Sequence, residues 1–362
     1  MKHGIRIGIT HGDFNGIGYE IIIKTLSDMR ICEMCTPVIY GSSKATAFYR
    51  NRIEGTENFS PSIVSSAREA RLKRVNIVNC IRDEIRIEPG VSAPEAGAAA
   101  VAALKSAVAD LKVGSLDAIV TAPISKENIR SEAFPYTGHT EFFAAGFGGE
   151  PLMLLCSETM RVGLVTIHIP ISQVSSAITT EKIIGCLRRF RASLIEDFGV
   201  VEPRIAVMSL NPHCGDGGLF GDEEQNIIKP ALDAVRDENI YVFGPFAADG
   251  LFGSGAFTKY DGILAMYHDQ GLAPFKLLSP QGVNFTASLP IIRTSPDHGV
   301  AYDIAGKGIA DESSMREAIY TALDIYARRQ SYKEAVRNPL RRYERDNGSD
   351  ASVRDLLPET EE

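Results

Sequence analysis

The stretch Gly262-Ile263-Leu264-Ala265-Met266-Tyr267-His268-Asp269-Gln270-Gly271 decides how this chain folds. A short apolar run bounded by glycine and a polar turn reads as a buried strand, because a strand covered on both faces needs no polar alternation. A histidine stands at its exit. Two other runs end the same way. Val162-Gly163-Leu164-Val165-Thr166-Ile167 closes on His168, and Ile205-Ala206-Val207-Met208-Ser209-Leu210 leads through Asn211-Pro212 to His213. Open α/β sheets bind ligands just beyond the carboxyl ends of their strands. Three neutral imidazoles meeting there would form a divalent-metal site with room for substrate. One such histidine is equally a hydrogen-bonded polar residue. Three in matching positions, from a supply of seven, favour the metal. Separations of 45 (213 − 168) and 55 (268 − 213) residues leave open whether the three strands are neighbours.

Bulk properties narrow the class. At 362 residues, 44% hydrophobic and 23% charged, the chain has ample material for a core and one or two domains. The net charge of −8 gives no basic footprint for nucleic acid. No apolar stretch approaches the ~20 residues needed to span a bilayer, so no membrane partner is expected. The strand-like Ile5-Arg6-Ile7-Gly8-Ile9 follows the first residues without a signal-type segment, and the expectation is a cytoplasmic protein. Cys32 and Cys35 form a C-x-x-C with no second pair, so a zinc ribbon is unsupported; Cys156 and Cys186 read as buried thiols.

Strand and helix patterns alternate throughout, predicting an α/β fold with a largely parallel sheet. Ser92-Ala93-Pro94-Glu95 reads as a capping box opening an Ala-rich helix to about Lys112. Asp117-Ala118-Ile119-Val120 reads as a strand leading into the loop Thr121-Ala122-Pro123-Ile124-Ser125-Lys126. Residues 131–150, rich in Gly, Phe and Thr, suit a functional loop. After about Tyr332 the chain is highly charged and reads as a helix fraying into disorder.

Four constellations carry chemistry. Beside the histidines, Asp269, Asp216 or Asp249 could orient an imidazole, and each could equally cap a helix. Thr137-Gly138-His139-Thr140-Glu141-Phe142 offers donors and close backbone approach for an oxyanion or phosphate, or simply caps a helix. Lys276, Asn284 and Arg293 form a cationic set suited to phosphate or carboxylate. Arg293 sits at the exit of the run Leu289-Pro290-Ile291-Ile292; a surface cation near a turn is the plain alternative. The glycine-rich segments Gly12-Asp13-Phe14-Asn15-Gly16-Ile17-Gly18 and His298 to Gly308 are loop signals, and neither has the G-x-G-x-x-G spacing.

Together, the segments Thr137–Phe142, Asn211-Pro212-His213, Ala265–Gly271 and Arg293-Thr294-Ser295-Pro296-Asp297-His298-Gly299 resemble the 4-hydroxythreonine-4-phosphate dehydrogenase family, from the first glycine loop to about residue 330. The segment Asp303-Ile304-Ala305-Gly306-Lys307-Gly308-Ile309-Ala310 also resembles the nucleotide-binding loop of isopropylmalate dehydrogenases. The resemblance implies two αβα domains of the isocitrate/isopropylmalate dehydrogenase type: residues 1–132 with 290–345, residues 133–289, and a charged tail at 346–362. It further implies a homodimer with the active site at the subunit interface. A divalent metal (zinc, magnesium, manganese or cobalt) would be held by His168, His213 and His268, drawn from both chains. By the same match the phosphorylated substrate is held by His139, Thr140, Lys276, Asn284 and Arg293. NAD or NADP would lie against Gly12, Gly299, Asp303 and Gly306. Two departures stand out. The first loop carries Asp13-Phe14-Asn15 where the family more often has Glu-Pro-Ala, and the stretch from Lys276 to Asn284 is slightly short.

The implied reaction is oxidation of a secondary alcohol, with loss of carbon dioxide from the resulting 3-oxo acid, in pyridoxal phosphate biosynthesis. Asp249 and Lys126 are the candidates for moving protons. Rival substrates are threonate or erythronate 4-phosphate, or an aromatic cis-dihydrodiol. Rivals of other classes are a metal-dependent hydrolase and a catalytically silent phosphate-binding protein.

Overall fold

The computed structural model describes residues 4–81 and 85–339. Among the described residues, twelve strands are formed. They are β1 (Arg6–Thr10), β2 (Thr36–Gly41), β3 (Ser62–Val64), β4 (Asn76–Asn79), β5 (Ala118–Thr121) and β6 (Leu152–Cys156). The second six are β7 (Arg161–Leu164), β8 (Arg204–Met208), β9 (Tyr241–Phe246), β10 (Gly262–Ala265), β11 (Val283–Ala287) and β12 (Arg293–Pro296). All belong to one sheet, in the order β3-β4-β2-β1-β5-β12-β11-β6-β7-β10-β8-β9. The sheet is mixed and mostly parallel. Its antiparallel pairs are β12–β11, β11–β6 and β6–β7, all at the centre.

The histidine-bearing strands are neighbours. β10 pairs in parallel with β7 on one side and β8 on the other. The apolar runs are buried as their composition requires, with Ile263, Leu264, Val162, Ile205 and Val207 all at 0–1% exposure. The first half, β3 to β12, contains strands from residues 6–121 and 293–296; the second contains only strands from residues 152–287. Helix Pro94–Lys112 covers β1 and β2 with Ala96, Ala99, Ala100, Ala103 and Ala107. Such small residues let helix and sheet approach closely. Among the described residues, no helix is long and apolar enough to cross a membrane. The six cysteines are free thiols, with Cys156 and Cys186 buried.

Some local expectations fail for identifiable reasons. Arg293 is the first residue of a strand, not the exit of one. The run Leu289–Ile292 is the connection between antiparallel β11 and β12; Ser288 turns through φ 65° and Pro290 lacks the N–H a ladder needs. Ser92 does not cap its helix. Ala93 occupies the cap position, with no side-chain hydrogen bond to the helix end. Residues His139–Phe147, within the expected loop at 131–150, form a helix. The tail assigned to 346–362 lies outside the described residues.

His11, just beyond β1, is fully buried and stacked on Tyr19 with ring centroids 5.2 Å apart. Its polar neighbour is the Ala99 backbone, and burial pushes the imidazole down to about 4. The unfolded chain therefore takes up a proton near pH 6.5 that the folded chain refuses until about 4. Stability contributed by the neutral ring is whole above 6.5 and falls as pH drops through this window, by ~3 kcal/mol in all. Urea midpoints at pH 7 and 4.5 should differ less for His11→Leu than for the natural chain. An equal acid loss in both would remove His11 from the explanation.

Candidate active site

Arg293 sits at the centre of the site, and its side chain is buried, with the residue 3% exposed. Nε and Nη2 donate to Thr121 Oγ1, at 3.1 and 2.7 Å, and Nη1 donates to Thr286 Oγ1 at 3.0 Å. Thr121 ends β5 and Thr286 lies in β11, so the two strands nearest β12 hold the guanidinium. These partners carry no charge. Burial pushes Arg293 down to about 9, partly offset by Glu141, and the group remains a cation at neutral pH. A buried cation held only by neutral hydroxyls is costly, and an arriving anion relieves that cost.

The surrounding cavity, of about 290 Å³, has the character an anion needs. Its lining supplies the cations Lys126, Lys276 and Arg293 against the acids Glu141 and Asp297, in a chain whose net charge is −8. Lys276 Nζ donates to the Asp297 carbonyl at 3.1 Å and lies 3.6 Å from its carboxylate. His139 and Thr140 open the helix His139–Phe147, whose N-terminal N–H groups also favour an anion. Burial first, and the Arg293 charge second, hold the His139 imidazole well below its ordinary value, so it is neutral. Nε2 of His139, Oδ1 of Asn284 and Nε2 of His298 are buried there without hydrogen-bond partners. Buried polar atoms are normally satisfied, so three orphans facing one cavity mark a ligand's place. All five residues expected to hold the substrate line this cavity.

Two of the three histidines meet beside it. The His168 and His268 rings are 5.7 Å apart by centroid, and both line the cavity. Lys126 Nζ stands 3.3 Å from Nε2 of His168. Burial, then Lys126, then His268 depress the His168 imidazole, favouring the neutral form a metal needs. Asp269 Oδ1 sits 2.7 Å from Nδ1 of His268, leaving Nε2 of that ring outward. His213 is elsewhere. It lines a separate cleft with Asn211, Asp249 and Tyr267, and Asp249 is exposed. Among the described residues, no group of three His, Cys, Asp or Glu gathers closely enough to hold a metal within one chain. The reason is local: His213 to Gly217 all take left-handed φ, from 41° to 77°, and carry the chain away after β8.

The residues expected at the nucleotide differ in their surroundings. Gly299 lines the cavity and has open space where a side chain would project. Gly12, at φ 71°, is packed so that a Cβ would collide with the Pro123 carbonyl; the equivalent position on Gly306 meets the Pro89 ring. Asp303 is exposed. The segment after it is fastened to helix Gly18–Ser27: the buried Glu20 carboxylate accepts from Ala310 N at 2.6 Å, and Lys24 Nζ donates to the Gly308 and Ala310 carbonyls.

Several site residues escaped the sequence reading. Glu224, fully buried, accepts from the backbone N–H groups of Leu210 and Asn211, both at 2.7 Å, and so holds the approach to His213. Glu141, Asp297 and His298 line the cavity, and all three lay inside quoted motifs without an assigned role. For Glu224 no local pattern marks the contact.

An α/β sheet with a cation-lined cavity at its strand ends, flanked by paired imidazoles, defines an enzyme for a small anionic molecule. The chain belongs to the family described as pyridoxal phosphate biosynthetic protein PdxA, whose model matches residues 33–322. It is 52% identical to a 4-hydroxythreonine-4-phosphate dehydrogenase of Bacteroides thetaiotaomicron, covering 99% of each chain. A Symbiobacterium thermophilum protein provisionally named D-threonate 4-phosphate dehydrogenase is 36% identical, over 86% of this chain and 94% of its own. Among solved structures, the 4-hydroxythreonine-4-phosphate dehydrogenase of Klebsiella pneumoniae is similar with a TM-score of 0.78 at 35% identity, covering 89% of this chain and 98% of its own. The chain is thus an oxidoreductase with the fold of those enzymes.

Anion binding at Arg293 can be measured without turnover. Inorganic phosphate at roughly a hundred times its dissociation constant should stabilise the natural chain by about 2.7 kcal/mol. Arg293→Met should lose most of the resulting rise in melting temperature. A variant keeping the whole phosphate-dependent rise would show that Arg293 does not bind the anion.

Proposed function

We propose that this chain oxidises 4-phosphohydroxy-L-threonine with NAD or NADP, with decarboxylation to 3-amino-2-oxopropyl phosphate, in pyridoxal phosphate biosynthesis. The observation that carries this reading is the buried Arg293, hydrogen-bonded only to neutral hydroxyls, lining the same cavity as His139 and Asn284 with their orphaned atoms. Arg293 and Lys276 take the phosphate charge, and His139 and Thr140 direct the helix N-terminus at it. Held at that end, the substrate presents its carbinol carbon towards His168, His268 and Lys126. On this reading the cleft separates residues 1–132 with 290–345, on the nucleotide side, from 133–289, in a cytoplasmic enzyme.

The donor set suits a divalent metal. His168 is held neutral, and His268 is oriented by Asp269 with Nε2 available. Two imidazoles from one chain leave a third donor to be found, and His213 of the partner subunit supplies it in a homodimer. When bound, such a metal (zinc, magnesium, manganese or cobalt) lowers the pKa of a coordinated hydroxyl and polarises a carbonyl. NAD or NADP held beside Gly299, which leaves open space there, would supply the hydride acceptor. Lys126, 3.3 Å from His168, is placed to move a proton at the reacting oxygen. Asp249 shares the His213 cleft and would join the site with it across the interface.

Mixed dimers test the shared site. His168→Ala and His213→Ala should each be inactive alone. Re-associated in equal amounts they should recover about a quarter of natural activity, because half the dimers carry one intact site of two. No recovery despite verified exchange would place the site within one chain. NADH formation with 4-phosphohydroxythreonine and with threonate 4-phosphate, side by side, decides the substrate: a higher kcat/KM for the hydroxy acid would overturn the reading.

A further inference from the structure

We propose that Asp13 is a positioning residue for the oxidation: its buried carboxylate ties the loop carrying Lys126 to the segment that runs from Asp297 to Tyr302. Asp13 is 1% exposed. Its Oδ2 accepts from Asn128 Nδ2 and from the Tyr302 hydroxyl, both at 2.7 Å, and its Oδ1 accepts from Asn15 N at 2.8 Å. These three donors are uncharged. Asp13 follows β1, Asn128 follows β5 and Tyr302 follows β12, and these strands are consecutive in the sheet. One carboxylate therefore joins the loops at three adjacent strand ends.

Two of those loops shape the active cavity. Lys126 lies between Pro123, whose carbonyl accepts from Asp13 N at 2.8 Å, and Asn128, which donates to the Asp13 carboxylate. The loop is thus gripped on both sides of the lysine that stands beside His168. Asp297, His298 and Gly299 line the cavity, and their loop is held by Tyr302 and by Ile17 N donating to the Val300 carbonyl. Gly12 makes the geometry possible, because its left-handed φ and missing Cβ let Asp13 reach Pro123. Behind it, Asn15 accepts from Glu88 N and donates to the Val91 carbonyl, fixing the loop from the other side.

Asp13→Asn separates positioning from bulk. The amide keeps the shape but has one acceptor oxygen where the carboxylate has two, so its NH₂ must face a donor. Only the role of Lys126 rests on the function proposed above, so the test has two readouts. In Asp13→Asn, kcat should fall about 10- to 100-fold while KM for the phosphorylated substrate stays within about threefold, because the Arg293 guanidinium is held by Thr121 and Thr286 rather than by the Asp13 loop. Independently, amides of residues 122–129 and 297–302 should exchange with deuterium about tenfold faster, with the rest of the sheet unchanged. Tyr302→Phe removes one donor, should show both effects more weakly, and carries the test if Asp13→Asn does not fold. Unchanged exchange in these segments, or exchange accelerated throughout the sheet, overturns the proposal. So does a kcat loss matched by an equal rise in KM. If the natural chain does not oxidise the phosphorylated substrate, the functional reading fails, and the exchange measurement still judges Asp13.

Discussion

The site depends on a charge the protein leaves unanswered. Arg293 could have been neutralised by a carboxylate at position 121 or 286, and an ion pair of that kind would have cancelled the charge. The chain places threonine at both positions instead. A hydroxyl satisfies the N–H geometry without cancelling the charge, so the guanidinium is held in place while its charge remains available. Both threonines come from strands flanking β12, so the orientation of the cation is fixed by the sheet itself. The stability forgone there is recovered when an anion binds, as expected of a site that departs from the rules governing the core.

A second departure concerns His213. Three non-glycine residues, His213, Cys214 and Asp216, adopt left-handed backbone conformations in succession with two glycines. Each costs on the order of 1–2 kcal/mol where no compensation exists. Glu224 provides it, accepting the Leu210 and Asn211 N–H groups and the Asn211 side chain from a fully buried position. This reinforced turn leads His213 away from the two histidines of its own chain and into a cleft with the exposed Asp249. Ile171 and Leu219, 72% and 73% exposed, each lie a few residues beyond one of the histidines His168 and His213. Within one chain the three histidines lie in two separate clefts.

The sequence made the strands legible because burial on both faces imposes uninterrupted apolar runs: β10 falls inside the run read for it, and β7 and β8 each begin one residue earlier, at Arg161 and Arg204. The polar residues at their exits were legible for the same reason, since a buried strand can carry a histidine only where it emerges. Arg293 was read as a strand exit because Leu289–Ile292 is apolar; composition cannot show that the run joins two antiparallel strands. Ser92 matched a cap by spacing, yet Asn128 Nδ2 donates to its hydroxyl at 3.5 Å. Gly12 stands in a glycine-rich loop where its missing Cβ admits the chain's own Pro123 carbonyl, a contact the sequence does not show. Asp13 to Tyr302, 289 residues apart, is beyond any local pattern.

What no local pattern carries is direction. β12 runs with β5, and three antiparallel steps through β11 and β6 leave β7, β10 and β8 running opposite to β5. In a flat sheet the loop after β5 and the loops after β7 and β10 would emerge at opposite edges. Here Lys126 lies 3.3 Å from His168. An ordinary sheet twist of roughly 20–25° per strand would amount to about 80–100° over the four steps from β5 to β7, so the two sets of ends need not stay at opposite edges. The antiparallel centre thus does more than join two halves. It lets one half supply Lys126, beyond the carboxyl end of β5, and Arg293, at the start of β12, while the other supplies His168 and His268 beyond the ends of β7 and β10.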